Sequence, residues 1–155
     1  MELTRNLRTD TVSRLRPTSP WSIESGRPVS DAVQLMRWQK VGCLLVTRAG
    51  RLAGIFTERD LLARVLATGL SLESPISACM TSDPVTITLK DVVRTAIKRM
   101  EKGGFRHLPV IDEGNRPIGV LSAHQIVHYL AEHFPGLVYN QPPDPSRFPD
   151  EAEGP

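Results

Sequence analysis

The chain has 155 residues with 19 Lys+Arg against 17 Asp+Glu, a formal net charge of +2. That length has a prior of one domain, and a hydrophobic share of 40% with 23% charged residues is ordinary for a globular protein. So small a net charge argues against a nucleic-acid binder, which needs a concentrated basic face. No apolar run approaches the ~20 residues of a membrane-spanning helix. The opening "MELTRNLRTD" carries acids and no apolar core, so it does not read as a secretory signal. A cytoplasmic protein is the expectation, and Cys43 and Cys79, without CxxC spacing, are expected to be buried free thiols.

In chain order, an N-terminal arm (1–11) leads to a short strand around Ser22–Ile23 and a helix with Pro28 in its first turn. Two apolar strands, "CLLVT" and "RLAGIF", join through "RAG", and a helix of about Glu58–Ala67 closes the unit. After the link "TGLSLESP" the order returns. A strand at Val85–Thr88 precedes a helix whose apolar face is Val92, Val93, Ala96, Ile97 and Met100. The strands "HLPVI" and "PIGVL" join through "DEGN", and a helix of about Ala123–Glu132 follows. The ending "PGLVYNQPPDPSRFPDEAEGP" holds six prolines and four acids against one Arg, the composition of a segment that stays disordered or extended.

The recurrence is a repeat. Shifting the chain by 64 positions sets Pro20 on Pro84, Ile23 on Ile87, Val29 on Val93, Ala32 on Ala96 and Met36 on Met100. One further residue in the next turn brings "GIFTERD" (Gly54 to Asp60) onto "GVLSAHQ" (Gly119 to Gln125). Two β-α-β-β-α units of about 60 residues, each too small for a large core of its own, should pack sheet to sheet as one α+β body with pseudo-twofold symmetry. The spans are 12–70 and 76–133, with 71–75 as linker and 134–155 as tail.

Read locally, Thr57-x-x-Asp60 is a helix cap, Thr57 at the N-cap and an acid three residues on. Ser122-x-x-Gln125 reads as a capping box in the same way. His124 and His128 have the i, i+4 spacing of a metal pair. With no further acid or Cys indicated, no metal site is expected. No nucleophile with an orienting base and no phosphate-gripping Gly loop is present, so catalysis is not expected either.

The paired pattern resembles a CBS-domain pair, the Bateman module. Carrying the resemblance are "VSRLRPTSP" and "ISACMTSDP" leading into the units, "VGCLLV" and "FRHLPVID" at the middle strands, and G-h-x-[S/T]-x-x-D after the third strand. The resemblance implies a regulatory module that binds an adenosine-containing ligand between the repeats, with no cofactor required, and the few basic groups of this chain favour AMP or ADP before ATP. It implies that the Asp60 carboxylate accepts the ribose diol beside Thr57. Ile55, Thr81, Asp83 and Pro109 would line the base, and Arg106, His107 and His124 would meet phosphate. Arg14 and Arg16 are further candidates for a polyphosphate.

The second cleft departs from the pattern. Gln125 stands in the carboxylate's place beside Ser122, and Gly42 and Cys43 stand where the cations belong. It is expected to be empty or weak. The resemblance also implies a homodimer through helices flanking the clefts. The alternatives are a dimerisation or docking module with empty clefts, or a sensor of an S-adenosylmethionine-type ligand.

Overall fold

A computed structural model describes residues 2–136. Its elements are α1 (Glu2–Thr9), β1 (Ser22–Glu24), α2 (Val29–Gln39), β2 (Cys43–Arg48), β3 (Arg51–Thr57), α3 (Glu58–Asp60), β4 (Thr81–Ser82), α4 (Val93–Gly103), β5 (His107–Ile111), β6 (Pro117–Ser122) and α5 (Ala123–His133). The first sheet runs β1-β2-β3-β4, and β5 and β6 form the second. Each β-β turn uses residues with positive φ, Ala49 and Gly50 in one hairpin and Asn115 in the other. The helices α2 and α4 end alike in the left-handed region, at Lys40 and at Gly104.

The two units exchange their leading segments. Ile76 donates its backbone N–H to Arg27, Ser77 to Ser25 and Val29 to Ser74. The same three bonds recur 64 residues away with the partners' roles reversed: Val12 to Asp91, Ser13 to Leu89 and Val93 to Asp10. Thus Val12 and Leu15, which precede the first repeat's strands, lie in the second repeat's core with Val93, Leu108 and Leu121. Ile76, Cys79 and Met80 lie in the first repeat's core with Val29, Leu44 and Phe56. A third cluster holds the sheets together: Cys43, Leu45, Leu52 and Ile55 meet Val120, with Ile111 alongside. The tip of the β5–β6 hairpin adds two bonds, Leu52 N–H to the Asn115 carbonyl at 2.8 Å and the Asn115 side-chain amide to the Leu52 carbonyl at 3.2 Å.

Several sequence expectations are corrected. The strand expected at Val85–Thr88 is only a single parallel bridge, Ile87 to Val110. In the first repeat Leu45 donates to the Trp21 carbonyl, but the matching position in β5 is Pro109, which has no N–H to give Val85. The helix expected over Glu58–Ala67 is α-helical only to Asp60; Leu61–Leu66 is a π-helix, with Ala67 donating to Leu62 and Leu70 to Val65. Pro28 caps α2 from outside rather than lying in its first turn. Trp21 and Trp38 stand 43% and 69% exposed.

Phe134, expected as part of the disordered or extended tail, instead packs on the second repeat's core and stands edge-on to Tyr129. The rest of the tail, 137–155, lies outside the described residues. The N-terminal arm forms α1, whose Leu7 packs on that same core.

Candidate functional site

The strand β3 delivers Thr57 to the start of α3, and the local sequence makes a complete capping box there. The Thr57 hydroxyl accepts the Asp60 N–H at 3.3 Å while Asp60 Oδ2 accepts the Thr57 N–H at 3.0 Å. The cap is therefore real, and Asp60 does more than cap. The residue is only 7% exposed. Its Oδ1 accepts the Thr81 hydroxyl at 3.2 Å and faces Arg64 Nε at 3.5 Å. Thr81 reaches it because β4 pairs antiparallel with β3, Ile55 opposite Thr81 and Gly54 opposite Ser82. Gly54 permits that crossing: a Cβ there would lie 2.5 Å from Met80 Sδ and 2.8 Å from the Thr81 carbonyl.

Thr57, Asp60, Ile55 and Thr81 are thus brought into direct contact or pairing. Asp83 follows β4, with φ of 47° and its N–H on the Ala53 carbonyl. Pro109 is buried and paired with Val120, whose side chain shares the inter-sheet cluster with Ile55. His107 opens β5, half-buried. Burial chiefly, and then the neighbouring Arg106 guanidinium, hold its pKa below 6.5, while Glu58 pulls the other way. Glu58 is the residue that sequence reasoning missed. It lies in α3 beside Thr57, its carboxyl folded over Gly42, and its charge is felt by His107 across the repeat boundary. Arg106 is exposed, and so is His124, in the first turn of α5. Neither makes an ion pair among the described residues.

Asp60 also acts on the thiols around it. Burial first, then the Asp60 charge, pushes Cys43 up to about 12 and raises Cys79. Both cysteines are free and buried. Among the described residues no group of three or more His, Cys, Asp or Glu could hold a metal, and His128 pairs with Glu132 at 3.0 Å. No described helix is long and apolar enough to cross a membrane.

The second copy is built differently. Ser122 and Gln125 form their capping box, Gln125 Oε1 accepting the Ser122 N–H at 2.7 Å. The other end of that amide donates to the Arg16 carbonyl at 2.9 Å. Arg16 is the counterpart of Met80, whose carbonyl takes Arg64 Nη1 at 2.8 Å. One neutral side chain in copy two does what Asp60 and Arg64 do together in copy one. Arg14 pairs with Asp10, which Tyr129 also contacts through its hydroxyl.

Two shallow grooves, of about 440 and 460 Å³, are present, one on the first repeat beside Trp38 and one between Arg48 and Arg51 of the first repeat and Ser77, Asp83 and Asn115 of the second. Of the expected site residues only Asp83 lines either.

Comparison with known proteins agrees with this architecture. The family profile of the CBS domain matches residues 12–67 and 76–132, and the chain belongs to the CBS-domain family. It is 37% identical over 106 residues to the CBS domain-containing protein CBSCBSPB3 of Arabidopsis thaliana, covering 67% of this chain but 19% of that protein. The chain therefore spans about a fifth of that relative's length. Among solved structures, the CBS-domain containing protein ATU1752 from Agrobacterium tumefaciens is 30% identical with a TM-score of 0.68, covering 76% of this chain and 97% of that one. The CBS domain protein PAE2072 from Pyrobaculum aerophilum, complexed with AMP, is 25% identical with a TM-score of 0.69, covering 83% and 95%.

Proposed function

We propose that the chain is a regulatory module that binds one adenosine-containing ligand at the Asp60 cleft, AMP or ADP ahead of ATP. The observation that carries this is the inequality of the two repeats. The copy that keeps its carboxylate gathers Thr57, Asp60 and Thr81 where β4 pairs with β3, and Glu58 beside Thr57 acts electrostatically on His107 of the other repeat, next to Arg106. The copy with Gln125 commits both ends of that amide internally. A carboxylate accepts a cis-diol with charge assistance that a carboxamide lacks. The AMP complex of the Pyrobaculum protein supports the ligand class. One arginine and two histidines suit one or two phosphates, and Glu58 weighs against a third. Binding would signal only by favouring one shape or association state over another.

Homodimerisation is part of the proposal. Leu62 and Leu66 on the π-helix and Val127 on α5 are 61%, 57% and 62% exposed, and Leu62 and Val127 occupy matching positions in the two repeats. A second reading, a docking or dimerisation module with empty clefts, draws on the full internal satisfaction of Asp60. Titration of wild type and Asp60→Ala with AMP separates them: binding that the substitution abolishes supports the nucleotide module, and absence of binding to either supports the second reading.

A further inference from the structure

Both oxygens of Asp60 are already engaged from within the chain. Oδ2 takes the Thr57 N–H at 3.0 Å and the Thr57 hydroxyl at 3.2 Å. Oδ1 takes the Thr81 hydroxyl at 3.2 Å and faces Arg64 Nε at 3.5 Å. A carboxylate has about four lone-pair directions. Three hydrogen bonds leave one such direction, which the Arg64 guanidinium faces, so a ribose diol with its two donors can engage Asp60 fully only by displacing one of these contacts.

The donors are not equally replaceable. The two from Thr57 belong to the cap and are local in the chain. The Thr81 hydroxyl is carried on a strand paired into the sheet. Arg64 makes the longest of the four contacts, and its side chain is 52% exposed, so its guanidinium can return to water without being stranded. The other end of that guanidinium holds the Met80 carbonyl at 2.8 Å, immediately before β4. Asp60 and Arg64 also straddle the junction at which α3 gives way to the π-helix, so a change of helical register there alters their spacing. The second repeat has no such arrangement: α5 is α-helical throughout, and Gln125 alone bonds the Arg16 carbonyl.

We propose that Arg64 is an internal competitor for the Asp60 carboxylate, displaced when a ligand's diol binds Oδ1. The same displacement frees the Met80 carbonyl and loosens the segment Ile76–Ser82 that joins the repeats. Arg64 thereby sets the cleft's affinity and links its occupancy to the connection between the two units. In the second repeat the Gln125 bond has no charged competitor to release, so that connection stays fixed. This rests on the adenosine-ligand reading above.

The test uses the full chain, adenosine as the probe and 2′,3′-dideoxyadenosine as its diol-free control, with amide hydrogen exchange over residues 76–82 and calorimetric affinity as readouts. In wild type, adenosine is expected to speed exchange in that segment and the dideoxy compound to leave it unchanged. Arg64→Gln is expected to exchange several-fold faster there without ligand, and to bind adenosine about three- to tenfold tighter because the closed, ligand-excluding population is lost. Arg64→Lys should fall between the two. If wild type binds adenosine but Arg64→Gln binds it equally or more weakly, the competition is overturned and the nucleotide reading stands. If neither protein binds adenosine or AMP, the nucleotide reading fails and the competition with it. The ligand-free exchange still judges the clamp on Met80, and equal exchange in the two proteins overturns it.

Discussion

The Thr81 hydroxyl donates to Asp60 Oδ1 at 3.2 Å, joining the strand that enters the second repeat to the helix start that closes the first. That bond makes Asp60 a junction as well as a cap, and it sets what a substitution there should do. Asp60→Ala removes the carboxylate half of the capping box and leaves the Thr57 and Thr81 donors without their acceptor, while the Thr57 hydroxyl still accepts the backbone N–H of residue 60. A cost of about 1–3 kcal/mol is expected from chemical denaturation, together with loss of adenosine binding. Binding that survives in a folded Asp60→Ala protein would show that the carboxylate only caps.

Arg106→Ala should separate phosphate from nucleoside. Arg106 is exposed and adjoins His107, whose pKa it lowers, so its removal should weaken AMP about tenfold or more while leaving adenosine nearly unchanged. Equal weakening of both ligands would remove Arg106 from the phosphate side.

The pH dependence follows from His107, whose pKa in the folded chain is held below 6.5 by burial and by Arg106. Below 6.5 the unfolded chain binds the proton more readily than the folded one. This histidine's contribution to stability is therefore complete above 6.5 and declines as pH falls toward the lower folded value. If a protonated His107 meets phosphate, AMP affinity should rise over the same window while adenosine affinity stays flat. Proton-monitored titration of both ligands checks this, and a flat AMP profile would remove His107 from phosphate contact.

The thiols should be inert in the native protein. Cys43 is pushed up to about 12 and Cys79 is raised, both chiefly by burial, so neither supplies thiolate at neutral pH. Alkylation by iodoacetamide at pH 7.5 is expected to track global unfolding in urea. Rapid labelling of Cys43 in native buffer would mean that the cleft opens locally.

The two crossing glycines should rank in order. Gly54→Ala meets Met80 Sδ at 2.5 Å and the Thr81 carbonyl at 2.8 Å, whereas Gly119→Ala meets Pro17 Cβ at 3.1 Å and the Thr18 carbonyl at 3.3 Å. Overpacking of the first kind costs about 1–3 kcal/mol, and the second should cost less. Thermal denaturation of the two variants decides the order.

The repeat, the strand and helix order and both capping boxes were legible in the sequence because each rests on local chemistry or on residues recurring at a fixed offset. Exchange of the leading segments was legible only as a pair of similar stretches, since Val12 bonds Asp91 and Ile76 bonds Arg27 across distances that periodicity does not encode. The shortened strand at Ile87 had a signal that could have been used, the missing N–H of Pro109 in the partner strand. The parts played by Arg64 and Glu58 had none. One depends on a backbone carbonyl 16 residues away and the other on a side chain folded over Gly42. The π-helix that carries Arg64 was hidden because "LLARVL" has the apolar spacing of an ordinary helix.

The most direct measurement is calorimetric titration of verified nucleotide-free protein with AMP, ADP, ATP and S-adenosylmethionine, one ligand at a time. One equivalent per chain with AMP or ADP tightest is the predicted result. Two equivalents would contradict the inequality of the clefts, and no heat from any ligand would leave Asp60 as a cap and a junction alone.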